Sequence, residues 1–315
     1  MARLVTVSNR LPVIVRAAGG QAVLEPSTGG VATGMRGPHE RMGGPWIGWP
    51  GPIEEVPAAA RGEVERRLAE ARLVPVPLAP EEVARFYEGY ANGVLWPTFH
   101  YFASRVPLQV RDFDAYEAVN ARFADAAAAL HRPGDLVWVH DYQLLLVPQM
   151  LRERIPEARI GFFLQVPFPS SEGFRLLPQR GRLLEGVSGA DLVGFHTAGY
   201  LRHFASSALR LFSVPTDVDR IRWGGREVRL GIFPMGIDAS LFSALAESPG
   251  VKALAEAHRA DGVRLLVGID RLDYTQGVPC RLLAFEELLA RQPGLRGDGR
   301  LGPGLGPSPR RAEAY

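Results

Sequence analysis

The sequence predicts an α/β fold, a doubly wound sheet of parallel strands, and two observations carry that expectation. Leu136 to Val139, Ile160 to Leu164, Leu192 to Phe195 and Leu265 to Ile269 are short, nearly continuous apolar runs, the pattern of parallel strands covered on both faces. Between them lie stretches with helical spacing, so strand and helix alternate along the chain. Ligands of such sheets sit beyond the carboxyl ends of the strands, and the functional residues are expected just after the apolar runs.

From the start, Leu4 to Val7 is a first apolar run. Val13 to Val15 and Ala22 to Leu24 flank Gly19-Gly20, a pair able to take the positive φ of a tight hairpin. A glycine-rich loop follows, Ser27-Thr28-Gly29-Gly30. Asp114 is expected to cap a helix carrying Val119, Phe123, Ala127 and Leu130 on one face, stopped by Pro133-Gly134. Thr197 is placed to cap another, with Tyr200, Phe204, Ala208 and Leu211 at spacings of four and three. A second unit begins near Gly262, with a strand to Ile269 and a helix from Pro279 to Arg291. Residues 294–315 hold six glycines, three prolines and four arginines in 22 residues, with no apolar period of either kind, and are expected to be disordered. The expected division is 1–240, 241–293 and an aberrant tail, 294–315.

Composition narrows the function. The 315 residues can supply a sizeable core, and the net charge of +2, from 36 basic and 34 acidic residues, is spread without a basic block, which argues against nucleic acid as a partner. Cys280 is the only cysteine, so no intrachain disulfide forms and a reducing cytoplasm fits best. Met1-Ala2-Arg3-Leu4 runs straight into an apolar segment with no leader, and no apolar run approaches membrane-spanning length, so neither export nor membrane insertion is expected. Only Lys252 among the basic residues is lysine, a bias that GC-rich coding DNA explains.

Several residues carry candidate chemistry. Arg10, after the first strand in Val7-Ser8-Asn9-Arg10-Leu11-Pro12, could clamp a phosphate with two parallel hydrogen bonds, although a solvated surface arginine fits the pattern as well. Gly29 and Gly30 precede a possible helix and could present backbone N–H groups to a phosphate, or form an ordinary turn. Tyr87 and the run from Tyr90 to Phe102, which includes Trp96, combine aromatic faces with amide and hydroxyl groups. That composition suits a sugar, with core packing as the competing reading. Asp141, in His140-Asp141-Tyr142, follows a strand and could accept hydrogen bonds from sugar hydroxyls or cap a helix. Asp112-Phe113-Asp114 has the spacing of a metal-binding carboxylate pair, but helix capping explains it better. The seven histidines show no zinc spacing, so neither a metal nor another cofactor is expected.

Taken together, VSNRLPV, STGG, WIGWPG, YANGVLWPTFHYF, DLVWVHDYQLLLVP, IGFFLQVPFPSSE, DLVGFHT, FPMGID and GIDRLDYTQG resemble glycosyltransferase family 20, the trehalose-6-phosphate synthases, over roughly residues 3–293. The resemblance implies a GT-B architecture, two Rossmann-like domains facing across a cleft, here with a complete first domain and only the start of the second. It implies a metal-independent transfer of glucose from UDP-glucose to glucose 6-phosphate with retention of configuration. Arg10 would grip the acceptor phosphate, with Tyr87 and Trp96 beside the acceptor and Asp141 on its hydroxyls. Gly29 and Gly30 would approach the donor diphosphate, and Arg271 would neutralise it as it leaves. No enzymic nucleophile is implied.

The chain departs from the family pattern at three places. Gln276 stands where the family has a lysine facing the diphosphate, and Gln165 where it has a histidine at the donor sugar. The segment that should follow Gln292, with the donor base and ribose contacts and a second phosphate arginine, is replaced by the glycine-proline-arginine tail. The composition of that tail is what out-of-frame reading of GC-rich DNA produces, so the expectation is a C-terminally truncated synthase without an assembled active site. The alternatives are a non-catalytic sugar-phosphate-binding regulator and a related synthase with a glycerol phosphate acceptor. Oligomeric state is not legible.

Overall fold

Strand β1 (Leu4–Arg10) has β4 (Trp46–Trp49) on one side and β6 (Leu136–His140) on the other, parallel to both. In this computed structural model, which describes residues 2–18, 21–27, 30–258, 264–296 and 299–306, these strands belong to a nine-stranded sheet. Its order is β5-β4-β1-β6-β7-β8-β11-β10-β9, with β5 (Leu73–Pro75), β7 (Arg159–Phe163), β8 (Leu192–Phe195), β9 (Thr216–Asp217), β10 (Arg220–Trp223) and β11 (Arg226–Ile232). Only β10 runs against the common direction of the strands, antiparallel to β11 and β9. Val5, Val7, Val137, Val139, Ile160, Phe162, Val193 and Phe195 are all buried, each contributing about 1.5–3 kcal/mol by leaving water. The apolar runs form strands because their alternate side chains all find an apolar neighbour.

The hairpin β2 (Val13–Ala18) and β3 (Gln21–Pro26) pairs antiparallel as expected, with its turn outside the described residues. Helices α1 (Gly30–Met42) and α2 (Ala58–Glu70) follow, then a single turn α3 (Pro80–Glu82) that runs directly into a π-helix, Val83–Leu95, and another turn, α4 (Trp96–Phe99). The rest of this unit, residues 1–235, carries α5 (Phe113–Leu130), α6 (Val147–Arg154), α7 (Ser171–Phe174), α8 (Arg180–Ser188) and α9 (Ala198–Phe212). Thr197 caps α9, its hydroxyl accepting the Tyr200 N–H at 3.3 Å.

Asp114 does not cap α5. The helix starts one residue earlier, Asp112 occupies the cap position at φ +64° without a side-chain cap bond, and both carboxylates grip Arg85, at 2.8 and 2.7 Å. A bidentate guanidinium bound across two elements satisfies both carboxylates better than one backbone N–H would.

The second unit, residues 236–315, holds α10 (Ala239–Glu247), α11 (Pro249–His258), β12 (Arg264–Arg271), α12 (Val278–Arg291) and β13 (Gly299–Gly306). Disorder throughout 294–315 is therefore incorrect for Gly299–Gly306, which pairs in parallel with β12 along its whole length. Backbone pairing needs no amphipathic period, and a parallel strand after a strand and helix is the ordinary continuation of such a unit. Residues 307–315 lie outside the described residues.

The sheet leaves little room where β4 begins. A Cβ on Gly44 would sit 1.7 Å from the Leu4 carbonyl oxygen, whereas Gly62, inside α2, has no atom within 4 Å of that position. Urea unfolding should show Gly44→Ala losing about 3 kcal/mol. Gly62→Ala should gain about 0.5–1 kcal/mol from its helix propensity.

Candidate functional site

Because β1, β6, β7 and β8 are parallel, their carboxyl ends share one edge, and Arg10, Asp141, Gln165 and His196 end or follow them there. The end of β1 is irregular: its register with β4 shifts between Val7 and Arg10. Ser8 organises that shift. Its hydroxyl donates to the Arg10 carbonyl and accepts the Trp46 indole N–H, both at 2.7 Å. Gly48 permits the approach, since a Cβ there would lie 2.7 Å from the Leu11 nitrogen.

The Arg10 guanidinium consequently lies between two aromatic faces, 4.8 Å from the Trp49 ring and 5.2 Å from the Tyr87 ring. Each such contact contributes about 0.5–2 kcal/mol and leaves the N–H edge available. Among the described residues no carboxylate pairs with it. The Trp49 indole, 8% exposed, carries a buried Nε1–H with no acceptor among the described residues. A cation without a counter-ion beside an orphaned donor suits an anionic acceptor ligand. Trp49 was not singled out as a site residue by sequence; its position in WIGW on a strand hydrogen-bonded to β1 was the available signal.

Asp141 lies directly after β6 at φ +76°, ψ 170°, a conformation that side chains other than glycine rarely adopt. Its Oδ1 accepts the Tyr142 N–H at 2.9 Å and the Gln165 N–H at 3.2 Å, so it caps the 3₁₀ turn Tyr142–Leu144 from the strand ends. Burial pushes its pKa up to about 7, against the pull of those two N–H groups. Burial also holds His140 down to about 3, a neutral ring with Nδ1 3.4 Å from the Gln165 amide nitrogen. Trp96 opens α4, its ring 4.0 Å from His100 and 5.5 Å from Tyr142. Of the aromatic run, Tyr90 and Phe99 are fully buried in the core, while Tyr87 and Trp96 border the strand ends.

Gly30 opens α1, and Gly29 lies outside the described residues. In the second unit, Arg271 ends β12 and Gln276 ends the turn Tyr274–Gln276, which buried Asp273 caps by accepting the Thr275 N–H at 3.0 Å. Among the described residues no cluster of three or more metal-ligating side chains occurs, and no helix is long and apolar enough to cross a membrane.

A largely parallel, doubly wound sheet with an arginine and a carboxylate at its strand ends is a Rossmann-like α/β domain. The family model of glycosyltransferase family 20 matches residues 2–302, past the residue at which the motif resemblance ends, and the chain belongs to that family. It is 42% identical over 299 residues to the alpha,alpha-trehalose-phosphate synthase [UDP-forming] of Schizosaccharomyces pombe, covering 92% of this chain and 58% of that protein. A solved E. coli structure bound with UDP-2-fluoro glucose superposes with a TM-score of 0.81 at 32% identity, covering 98% of this chain and 65% of its own. An alpha,alpha-trehalose-phosphate synthase (UDP-forming) from Burkholderia vietnamiensis gives 0.80 and 32%, with 98% and 64% covered. The chain spans somewhat under three-fifths of that yeast relative's length.

The two buried groups tilt stability in opposite directions. Asp141, raised from 3.8, keeps a proton that the unfolded chain has released, so stability falls as pH rises from about 4 to 7. His140, lowered from 6.5, refuses a proton that the unfolded chain takes up, so stability falls as pH drops from about 6.5 to 3. The slopes cancel where they overlap. Asp141→Asn should therefore be stabilised relative to the parent chain more at pH 8 than at pH 4, by up to about 4 kcal/mol. A difference independent of pH in thermal unfolding would contradict this.

Proposed function

We propose that this chain forms the acceptor side of a retaining glycosyltransferase that moves glucose from UDP-glucose to glucose 6-phosphate, giving trehalose 6-phosphate. The observation that carries the reading is Arg10, its guanidinium against the Trp49 and Tyr87 rings with no carboxylate partner among the described residues. A phosphate on a sugar offers the bidentate acceptor that such a fork fits. Aromatic rings at Tyr87, Trp49 and Trp96 give the sugar its apolar walls, and the Asp141 carboxylate accepts from its hydroxyls.

In this reading Gly29 and Gly30 approach the donor diphosphate, Gln165 contacts the donor sugar, and Arg271 with Gln276 faces the nucleotide diphosphate. The bond from the glucose anomeric carbon to the diphosphate oxygen breaks on the same face on which the acceptor oxygen bonds. The departing diphosphate takes the acceptor's proton, and negative charge grows where Arg271 stabilises it.

A second reading, non-catalytic binding of a sugar phosphate, draws on Gln276, which carries no charge and whose amide donates to the Thr275 hydroxyl at 3.4 Å within its own turn. Formation of trehalose 6-phosphate from the two substrates would exclude the second reading, since both readings share the acceptor site and only the first includes transfer.

Calorimetric titration tests that site directly. The chain should bind glucose 6-phosphate in preference to glucose, and Arg10→Ala should remove the preference, a loss of about 1.5–3 kcal/mol for one charge-assisted contact. Equal binding of the two sugars by the unaltered chain would refute an acceptor phosphate site here.

A further inference from the structure

The π-helix Val83–Leu95 is long for its kind, and π-winding is rare outside single bulges at functional sites. Its effect is visible in three residues. Tyr87, Asn92 and Trp96 are spaced by five and four. In an α-helix a five-residue step turns a side chain by about 140° from its starting direction, so Tyr87 and Asn92 would face different ways. In a helix bonded from i to i+5 each turn takes more than four residues, and steps of five and four return to one face. Tyr87 here covers the Arg10 guanidinium, and Asn92 and Trp96 both meet Tyr142.

The contact at Asn92 is close and dry. The Tyr142 hydroxyl donates to Asn92 Oδ1 at 2.7 Å, with Asn92 7% and Tyr142 3% exposed. At its other end Tyr142 is held by its backbone: the Tyr116 hydroxyl donates to the Tyr142 carbonyl at 2.7 Å, and burial keeps that phenol protonated. Between these anchors, the Tyr142 N–H donates to Asp141 Oδ1. The Asp141 carboxylate is thus aimed by a backbone N–H whose own residue is pinned at both ends.

We propose that Asn92 is a positioning residue: from the π-wound face that also carries Tyr87 and Trp96, it fixes the Tyr142 side chain and through it the Asp141 carboxylate that receives sugar hydroxyls. The inference rests on the acceptor-site reading above and extends it. The wall of the phosphate cradle and the aim of the hydroxyl acceptor belong to one helix, and the winding of that helix sets both. An asparagine suits the position because its amide oxygen accepts from a phenol without bringing a negative charge into a buried contact.

Three variants test the link: Asn92→Leu, Tyr142→Phe and the double substitution. Glucose and glucose 6-phosphate are titrated into each by calorimetry, and the Asp141 carboxyl is titrated by carbon NMR in ligand-free protein. Asn92→Leu should weaken both sugars by about tenfold, the size of one hydrogen bond, leaving the preference for the phosphorylated sugar unchanged because Arg10 is untouched. The double substitution should bind no more weakly than Asn92→Leu alone, as expected of two residues acting in series. The Asp141 titration should move upward in both single variants, since a misaligned N–H stabilises the carboxylate less. Additive losses in the double variant, or an Asp141 titration that neither substitution moves, would overturn the proposal. The parent chain's failure to bind either sugar would overturn the acceptor reading instead. The NMR arm needs no ligand and decides the link between Asn92 and Asp141 by itself, with Tyr142→Phe carrying it if Asn92→Leu does not fold.

Discussion

The candidate site depends on how closely β1 and β4 approach. With glycine at position 48 the two backbones meet near Leu11, the register shifts, and Arg10 comes to lie opposite Trp49. Any larger residue would push the strands apart and remove one wall of the cradle. The guanidinium would then lose the face that keeps it ordered without a counter-ion. Two cation–π contacts are a modest stabilisation, yet they orient the charge without neutralising it, as a salt bridge would. Among the described residues no carboxylate reaches this guanidinium, so its charge is oriented and left uncompensated.

Behind that cradle the polar groups are buried to different ends. His140 is desolvated until it remains neutral, while Asp141 is poised so that a ligand supplying hydroxyl donors would favour its charged form. Asn92, Tyr142 and Tyr116 form a hydrogen-bonded chain in the interior, and such chains hold a geometry more firmly than exposed pairs. The same burial that makes the network rigid makes any break in it costly. The site's precision and its sensitivity to substitution have one cause.

The parts of the fold readable from sequence were those with an undisturbed period. The continuous apolar runs became β6, β7, β8 and β12, and the hairpin and the Thr197 cap formed where glycine and hydroxyl chemistry placed them. The π-helix was not readable, because its turn matches neither the helical nor the strand period, and core packing was the ordinary reading of its aromatics. Tyr90 and Tyr87 are both buried, and Tyr87 also covers the Arg10 guanidinium. Trp49 escaped notice because its nearness to Arg10 depends on strand order, with 38 residues of chain between them. Strand β13 shows no alternation at all, since it is held by backbone bonds to β12 and its sequence records little of that.

The left-handed backbone at Asp141 sets stability against chemistry at one residue. Glycine would relieve the strain and remove the carboxyl from the strand ends. If that carboxyl receives sugar hydroxyls as proposed, a lineage released from selection for sugar binding would drift toward glycine at this position, and one still under selection would be held at a residue its backbone disfavours. The identity of residue 141 across natural copies of this chain is thus a record of use, readable without measuring any activity.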